Sequence, residues 1–150
     1  MQIAGIDFGR KRIGLAISDG QGAYPVAVME RRSLKHDLDA IRSWLVVREV
    51  SLIVVGLPLN MDGTEGLSAR AARAFAERLG SATGLPVEVF DERLTSVEAD
   101  ERLREASGSR TSTGAARKRA ARKKAARDAM AAAVTLEGWL ESRRAQPISQ

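Results

Sequence analysis

The residues best placed to do chemistry are a few carboxylates in settings unusual for acids. Asp7 closes the run Ile3-Ala4-Gly5-Ile6, which is apolar enough to be a strand buried on both faces. The basic turn Gly9-Arg10-Lys11-Arg12 follows directly. A carboxylate at the end of a buried strand is costly unless something positive meets it. Asp91 and Glu92 hold the same position after Leu85 to Phe90, a second strand-like run. Asp128 lies among alanines and shares a helical stripe with Ala132, Thr135 and Trp139. It is either an exposed helix acid paired with Lys124 or Arg127, or a carboxylate delivered to the strand ends. With no cysteine and a single histidine, these acids make an all-oxygen donor set. Such a set suits Mg²⁺ or Mn²⁺, and two such ions can activate water against a phosphodiester. No Ser-His-Asp or Cys-His arrangement competes, because His36 sits between Lys35 and Asp37 as a surface residue.

The elements that must position these acids are legible in outline. Strands are expected over Gln2–Phe8, Ile13–Ser18 and Ala23–Glu30, the first two joined as a hairpin across the turn that Gly9 and Gly14 bracket. Pro25 places the third near a sheet edge or at a strand start. The period then changes. Leu34, Leu38, Ile41, Trp44 and Leu45 have helical spacing over Leu34–Arg48, with Ser33 as the cap. Leu52 to Gly56 is a β-branched run typical of a strand buried on both sides. Leu57 to Glu65 holds the turn formers Pro58, Asn60, Asp62 and Gly63. A helix over Ser68–Leu79, a stop at Gly84 and a strand over Leu85–Phe90 come next. Thr95-Ser96-Val97-Glu98 has the form of a capping box, opening a helix to about Ala106. The last helix is expected from about Ala115 to Ser142, its alanines allowing close approach to a sheet.

The order β-β-β-α-β-α-β-α-α predicts an α/β fold with a mixed five-stranded sheet, antiparallel in the hairpins and parallel where helices intervene. Ligand sites in such sheets lie at the carboxyl ends of parallel strands, where Asp7, Asp91 and Glu92 fall.

A length of 150 residues with 44% hydrophobic content fits one domain, 1–150, with segment 107–127 and the tail 143–150 expected to be mobile. The absence of cysteine excludes disulfides and thiolate metal sites. No signal-peptide pattern opens the chain and no apolar run is long enough for a bilayer, so a cytoplasmic protein without membrane partners is expected. The net charge of +5 is concentrated: eight bases and no acid lie between Arg110 and Arg127, while the rest of the chain carries −3. A basic stripe beside a mildly acidic body points to a polyanion such as nucleic acid.

Four motifs, in order over about residues 1 to 140, carry a family resemblance. They are Gly5-Ile6-Asp7-Phe8-Gly9 through Arg12-Ile13-Gly14-Leu15-Ala16-Ile17-Ser18-Asp19, then Val54-Val55-Gly56-Leu57-Pro58-Leu59-Asn60-Met61-Asp62-Gly63-Thr64-Glu65, then Asp91-Glu92-Arg93-Leu94-Thr95-Ser96, and Asp128 leading its alanine-rich helix. The chain resembles the YqgF (RuvX) family. The resemblance implies an RNase H-like fold and a metal-dependent nuclease, described for the family as processing the 5′ end of pre-16S ribosomal RNA or resolving Holliday junctions. It implies Asp7, Glu92 and Asp128 as the catalytic acids and metal ligands, with Asp91 as substitute or helper. Related resolvases carry an acid at the end of the fourth strand, where this chain reads Gly56-Leu57-Pro58-Leu59-Asn60.

The leading expectation is therefore a Mg²⁺- or Mn²⁺-dependent phosphodiesterase acting on structured nucleic acid, as monomer or homodimer. The Asp7, Glu92 and Asp128 carboxylates are expected to converge within metal-bridging reach. Lys11, Arg12, Asn60 and Arg93, with Arg119, Lys123 and Lys124, are the candidate contacts to nucleic acid. Asp-x-Gly before a basic turn also resembles the phosphate hairpin of two-domain ATPases, but 150 residues offer one domain only. A binding module without catalysis is the third class, separated from a nuclease by whether Asp7→Asn abolishes cleavage while binding persists.

Overall fold

The computed structural model describes residues 1–95 and 116–145, and within 116–126 the backbone alone. Strands β1 (Gln2–Phe8), β2 (Arg12–Ser18) and β3 (Ala23–Glu30) are followed by helix α1 (Leu34–Val47), strand β4 (Val50–Leu57), helix α2 (Leu67–Thr83), strand β5 (Val87–Asp91), a 3-10 turn (Glu92–Leu94) and helix α3 (Ala116–Ala145). The sheet order is β3-β2-β1-β4-β5. β2 is antiparallel to β1 and to β3, whereas β4 is parallel to β1 and to β5. This is the mixed five-stranded sheet expected from the element order. Pro25 lies on the edge strand β3, beside an irregularity in the register at Leu15/Ala16, where a missing N–H costs least.

The ends of elements depart from expectation for local reasons. Helix α2 runs on past Leu79 to Thr83 because Gly80 does not stop it; Gly84, at φ 72°, does, and donates back to the Gly80 carbonyl. β5 begins at Val87 rather than Leu85, since Pro86 has no N–H to give and contributes only its carbonyl, to Ile53 N. Ser33 caps α1 as expected, accepting from His36 N at 3.1 Å. The helix expected over Thr95–Ala106 falls outside the described residues beyond Thr95. Of the segments expected to be mobile, 116–127 and 143–145 are helical, and the remainder lies outside the described residues.

The two faces of the sheet are packed differently. One face carries α1 and α2 over a core that includes Ile6, Ile13, Ile41, Leu45, Ile53, Val55, Phe75 and Leu79. Each such side chain contributes roughly 1.5–3 kcal/mol on burial. Among the described residues the other face carries α3, through Ala132, Ala133, Leu136 and Trp139 against Ile3, Ala16, Val54 and Phe90. Alternation along the strands therefore puts Gly5 and Asp7 of β1, Gly14 of β2 and Gly56 of β4 on the α3 face. Small residues on both partners set the spacing. A methyl added to Gly14 would lie 2.0 Å from the Asp128 carbonyl, and one added to Gly5 would lie 3.0 Å from the Ala132 carbonyl. The sheet thus fixes α3 at the turn that carries Asp128.

Candidate active site

Asp7 and Glu92 come from strands that are not neighbours. β1 and β5 are separated by β4, a distance of about 10 Å at ordinary strand spacing. Gly56 of β4 makes the meeting possible. It has no side chain, and Glu92 occupies the space one would need: a Cβ on Gly56 would lie 2.5 Å from Glu92 Oε1. A carboxylate from β5 thus reaches over a glycine of β4. Alternation along β5 carries Glu92 to the α3 face, the face of Phe90, where the 3-10 turn begins.

Glu92 and Asp7 share a hydrogen bond, with the Glu92 carboxyl donating to Asp7. Burial raises the Asp7 carboxyl above its ordinary range, the bond to Glu92 opposes that rise, and the Asp128 charge adds to it. Glu92 is pushed up to about 7, first by burial and then by the charge of Asp7, the hydrogen bond to it and the charge of Asp91. Two half-buried carboxyl groups in contact do not both ionise cheaply.

Asp128 stands on the same face, one strand across, in an open cleft of about 570 Å³ lined by Asp7, Gly9, Arg10, Lys11, Arg12 and Asp128. Among the described side chains its carboxylate takes Arg12 Nε at 2.5 Å rather than Arg127; the Lys124 side chain lies outside the described set. Its stripe-mates Ala132, Thr135 and Trp139 are buried, as the helical pattern required. Convergence is thus incomplete. Asp7 and Glu92 touch, while Asp128 is held by Arg12, and among the described residues no three acids or histidines stand together at metal-ligand spacing.

Asp91 points elsewhere. It caps the 3-10 turn through Arg93 N at 2.9 Å and pairs with the Arg93 guanidinium at 2.8 Å. The hydrogen bond from Arg93 holds its carboxyl below the usual range against a small effect of burial. On β5 it shares alternation with Val87 and Val89, facing away from Asp7. Arg93 also donates to the Met61 carbonyl at 3.3 Å, tying the loop after β4 to the end of β5. Asn60 gives its amide to Thr64 Oγ1 at 3.0 Å, inside that loop. Lys11 is exposed at the hairpin tip, and His36 is a surface residue beside Asp37. The side chains of Arg119, Lys123 and Lys124 fall outside the described set.

One supporting device was not visible in the residue pattern. Arg31 donates to the Gly9 carbonyl at 3.2 Å and to the fully buried Asp37 at 3.0 Å, and its guanidinium lies 4.3 Å over the Phe8 ring. Phe8 in turn stacks on Phe75. Helix α1 thereby fixes the turn that carries Arg10 to Arg12. The only signal was an arginine six residues before an aspartate at a helix start, too common to single out.

The donor chemistry fits a divalent cation. Asp7 and Glu92 offer carboxylate oxygens in contact, hard donors of the kind such cations take. The Gly56 recess holds Glu92 there.

The RuvX family model, described as Holliday junction resolvase, matches residues 1–142. A relative from Anaeromyxobacter sp. (strain Fw109-5) is 52% identical over 147 residues, covering 97% of this chain and 100% of its own. One from Myxococcus xanthus (strain DK1622) is 44% identical, covering 96% of this chain and 90% of its own. Both carry the provisional name pre-16S rRNA nuclease. Among solved structures, T. thermophilus RuvC in complex with a Holliday junction superposes with a TM-score of 0.59 at 14% identity, covering 97% of this chain and 96% of that one. The fowlpox virus Holliday junction resolvase gives 0.54 at 12% identity, over 95% and 99%. The fold is that of these RNase H-like resolvases. From the matched motifs and the near-complete relatives alike, the chain belongs to the RuvX family.

Proposed function

We propose that the protein is a metal-dependent nuclease that hydrolyses phosphodiester bonds in structured nucleic acid, and that its substrate is the 5′ end of pre-16S ribosomal RNA. The observation that carries the reading is the contact between Asp7 and Glu92 across Gly56, with Asp128 facing them from α3. The names of the near full-length relatives supply the RNA substrate. Work on a precursor ribosomal RNA fits the cytoplasm.

Asp7, Glu92 and Asp128 would hold Mg²⁺ or Mn²⁺, which when bound lowers the pKa of a coordinated water and offsets charge on the leaving oxygen. Metal loading requires the Asp7–Glu92 pair to give up its proton. Lys11 and Arg10, at the open side of the cleft, would draw the phosphate backbone toward the acids. Asp91 and Arg93 hold the loop of Asn60 beside the site, and that loop would meet the sugar-phosphate chain. Burial of the acids against α3 keeps bulk water from their inner side.

Cutting a four-way junction is the second reading, favoured by the family description and the resolvase fold. Resolving a two-fold symmetric junction would require a homodimer. The test is a side-by-side digest, in Mn²⁺, of a pre-16S RNA fragment and a four-way DNA junction. Wild type should cut the RNA at its 5′ flank, Asp7→Asn and Glu92→Gln should lose at least 100-fold (about 2.7 kcal/mol or more of transition-state stabilisation), and both variants should still bind. Paired symmetric cuts in the junction with intact RNA would move the assignment to the second reading. Cleavage undiminished in both variants would remove the nuclease reading altogether.

A further inference from the structure

The geometry points to Arg12 as a resident cation that holds Asp128 out of the metal-ligand set and gives it up in exchange for a phosphate, so that metal and nucleic acid bind cooperatively through this one side chain. This inference rests on the proposed nuclease site and specifies how that site is loaded.

The backbone on both sides of the pair is fixed. Gly9 N donates to the Arg12 carbonyl at 2.9 Å, closing the hairpin turn, and Arg31 holds the Gly9 carbonyl from the other side. Asp128 is pressed on Gly14 so closely that no methyl group fits between them. Arg12 and Asp128 therefore cannot separate by moving β2 or α3. They can separate only by side-chain rotation, and each has somewhere to go. Both side chains are about one-third exposed, at 27% and 32%, and both line the open cleft that Asp7 enters from below.

Alternation on β2 puts Arg12 on the face of Gly14, the face of Asp7 and Asp128. Asp128 is met by the Arg12 guanidinium, while Asp7 lies beside Glu92 in the same site. A third carboxylate beside Asp7 would raise the cost of all three, and Arg12 offsets that cost while no metal is bound.

The exchange follows from charge. A cation that recruits Asp128 leaves Arg12 unpaired at the mouth of the cleft, where a guanidinium binds phosphate bidentately. A phosphate that recruits Arg12 leaves Asp128 free for the cation. Each ligand removes the obstacle to the other, and linkage requires the two effects to be equal in size. A pair this exposed is worth up to about 1 kcal/mol, so each ligand should strengthen the other by up to about fivefold.

The test measures Mn²⁺ binding to the full chain through loss of the free-ion paramagnetic resonance signal, with and without a phosphorothioate DNA junction as a slowly hydrolysed phosphate probe. Wild type should bind Mn²⁺ about fivefold more tightly with the probe than without it. Arg12→Gln should bind Mn²⁺ alone about as tightly as wild type with the probe, and the probe should then add nothing. Arg12→Lys, which keeps the charge without the fork, should keep part of the coupling. Melting temperatures of all three are compared without ligand. If Arg12→Gln weakens Mn²⁺ binding and lowers the melting temperature, Arg12 only anchors α3 and the exchange is wrong. If wild type binds Mn²⁺ and probe independently, the exchange is also wrong while the nuclease reading stands. If it binds neither, the underlying reading goes with it.

Discussion

Glu92 is the residue whose state should be most visible in solution. Its folded pKa, about 7, lies above the ordinary carboxylate value of 4.5. Between those two values the folded chain holds a proton that the unfolded chain releases, so this group's contribution to stability declines as pH rises from about 4.5 through about 7. Glu92→Gln keeps a donor toward Asp7 and removes the titration. Without metal, it should therefore gain on wild type by about 1 kcal/mol between pH 5 and pH 8, after discounting for partial exposure. Thermal unfolding at the two pH values reads this directly, and an equal difference at both would contradict it. Added Mn²⁺ should stabilise wild type at pH 8 far more than the variant. At this scale the acids were legible because a carboxylate ending a buried strand needs a partner, which singles out Asp7 and the Asp91-Glu92 pair. Which of that pair turns inward depended on which face of β5 packs against α3, and the pairing of Asp128 depended on where β2 meets α3. Neither is a local property of the sequence.

At the scale of elements, the site is made by absences of side chains. Gly14 and Gly56 both face α3, yet what lies against them differs, and so should the consequences of filling them. An alanine at Gly14 would meet the backbone carbonyl of Asp128 at 2.0 Å. Backbone cannot yield without moving the helix, so Gly14→Ala should cost about 2–3 kcal/mol of stability, at the upper end for overpacking, and cleavage should fall with it. An alanine at Gly56 would meet the end of the Glu92 side chain at 2.5 Å. A side chain can rotate away. Gly56→Ala should therefore unfold within about 1 kcal/mol of wild type yet lose most Mn²⁺ binding and cleavage, because Glu92 can no longer lie across β4. Denaturant titration beside a Mn²⁺ titration separates the two cases. A destabilised Gly56→Ala with normal metal binding would show that the recess serves packing instead. The alanines of α3 announced a close approach from the helix side. The matching glycines read as turn and strand formers, because the sequence does not say which residue of the sheet each alanine will touch.

Across the whole molecule the charge is segregated: eight bases without an acid between Arg110 and Arg127, and a net of −3 elsewhere. Helix α3 joins the two regions as one unbroken element from Ala116 to Ala145. Residues 119 to 124 lie one to three turns before Asp128, within about 15 Å of it along the helix axis. The same helix thus carries Asp128 to the cleft and, N-terminal to it in sequence, the basic run. A nucleic acid held along that run would have a phosphate over the acids, so affinity should come from the run and cleavage from the cleft. Replacing Arg119, Lys123 and Lys124 together by Gln should lower the slope of log affinity against log salt for duplex DNA by about 2–3, since each lost phosphate contact releases one fewer condensed counterion. Arg93→Gln should leave that slope unchanged, because Arg93 is already committed to Asp91 and the Met61 carbonyl. Fluorescence anisotropy of a labelled duplex over a KCl series, in the absence of divalent metal, gives both slopes. An unaltered slope in the triple variant would mean that the phosphate track leaves the cleft along the hairpin, not along α3.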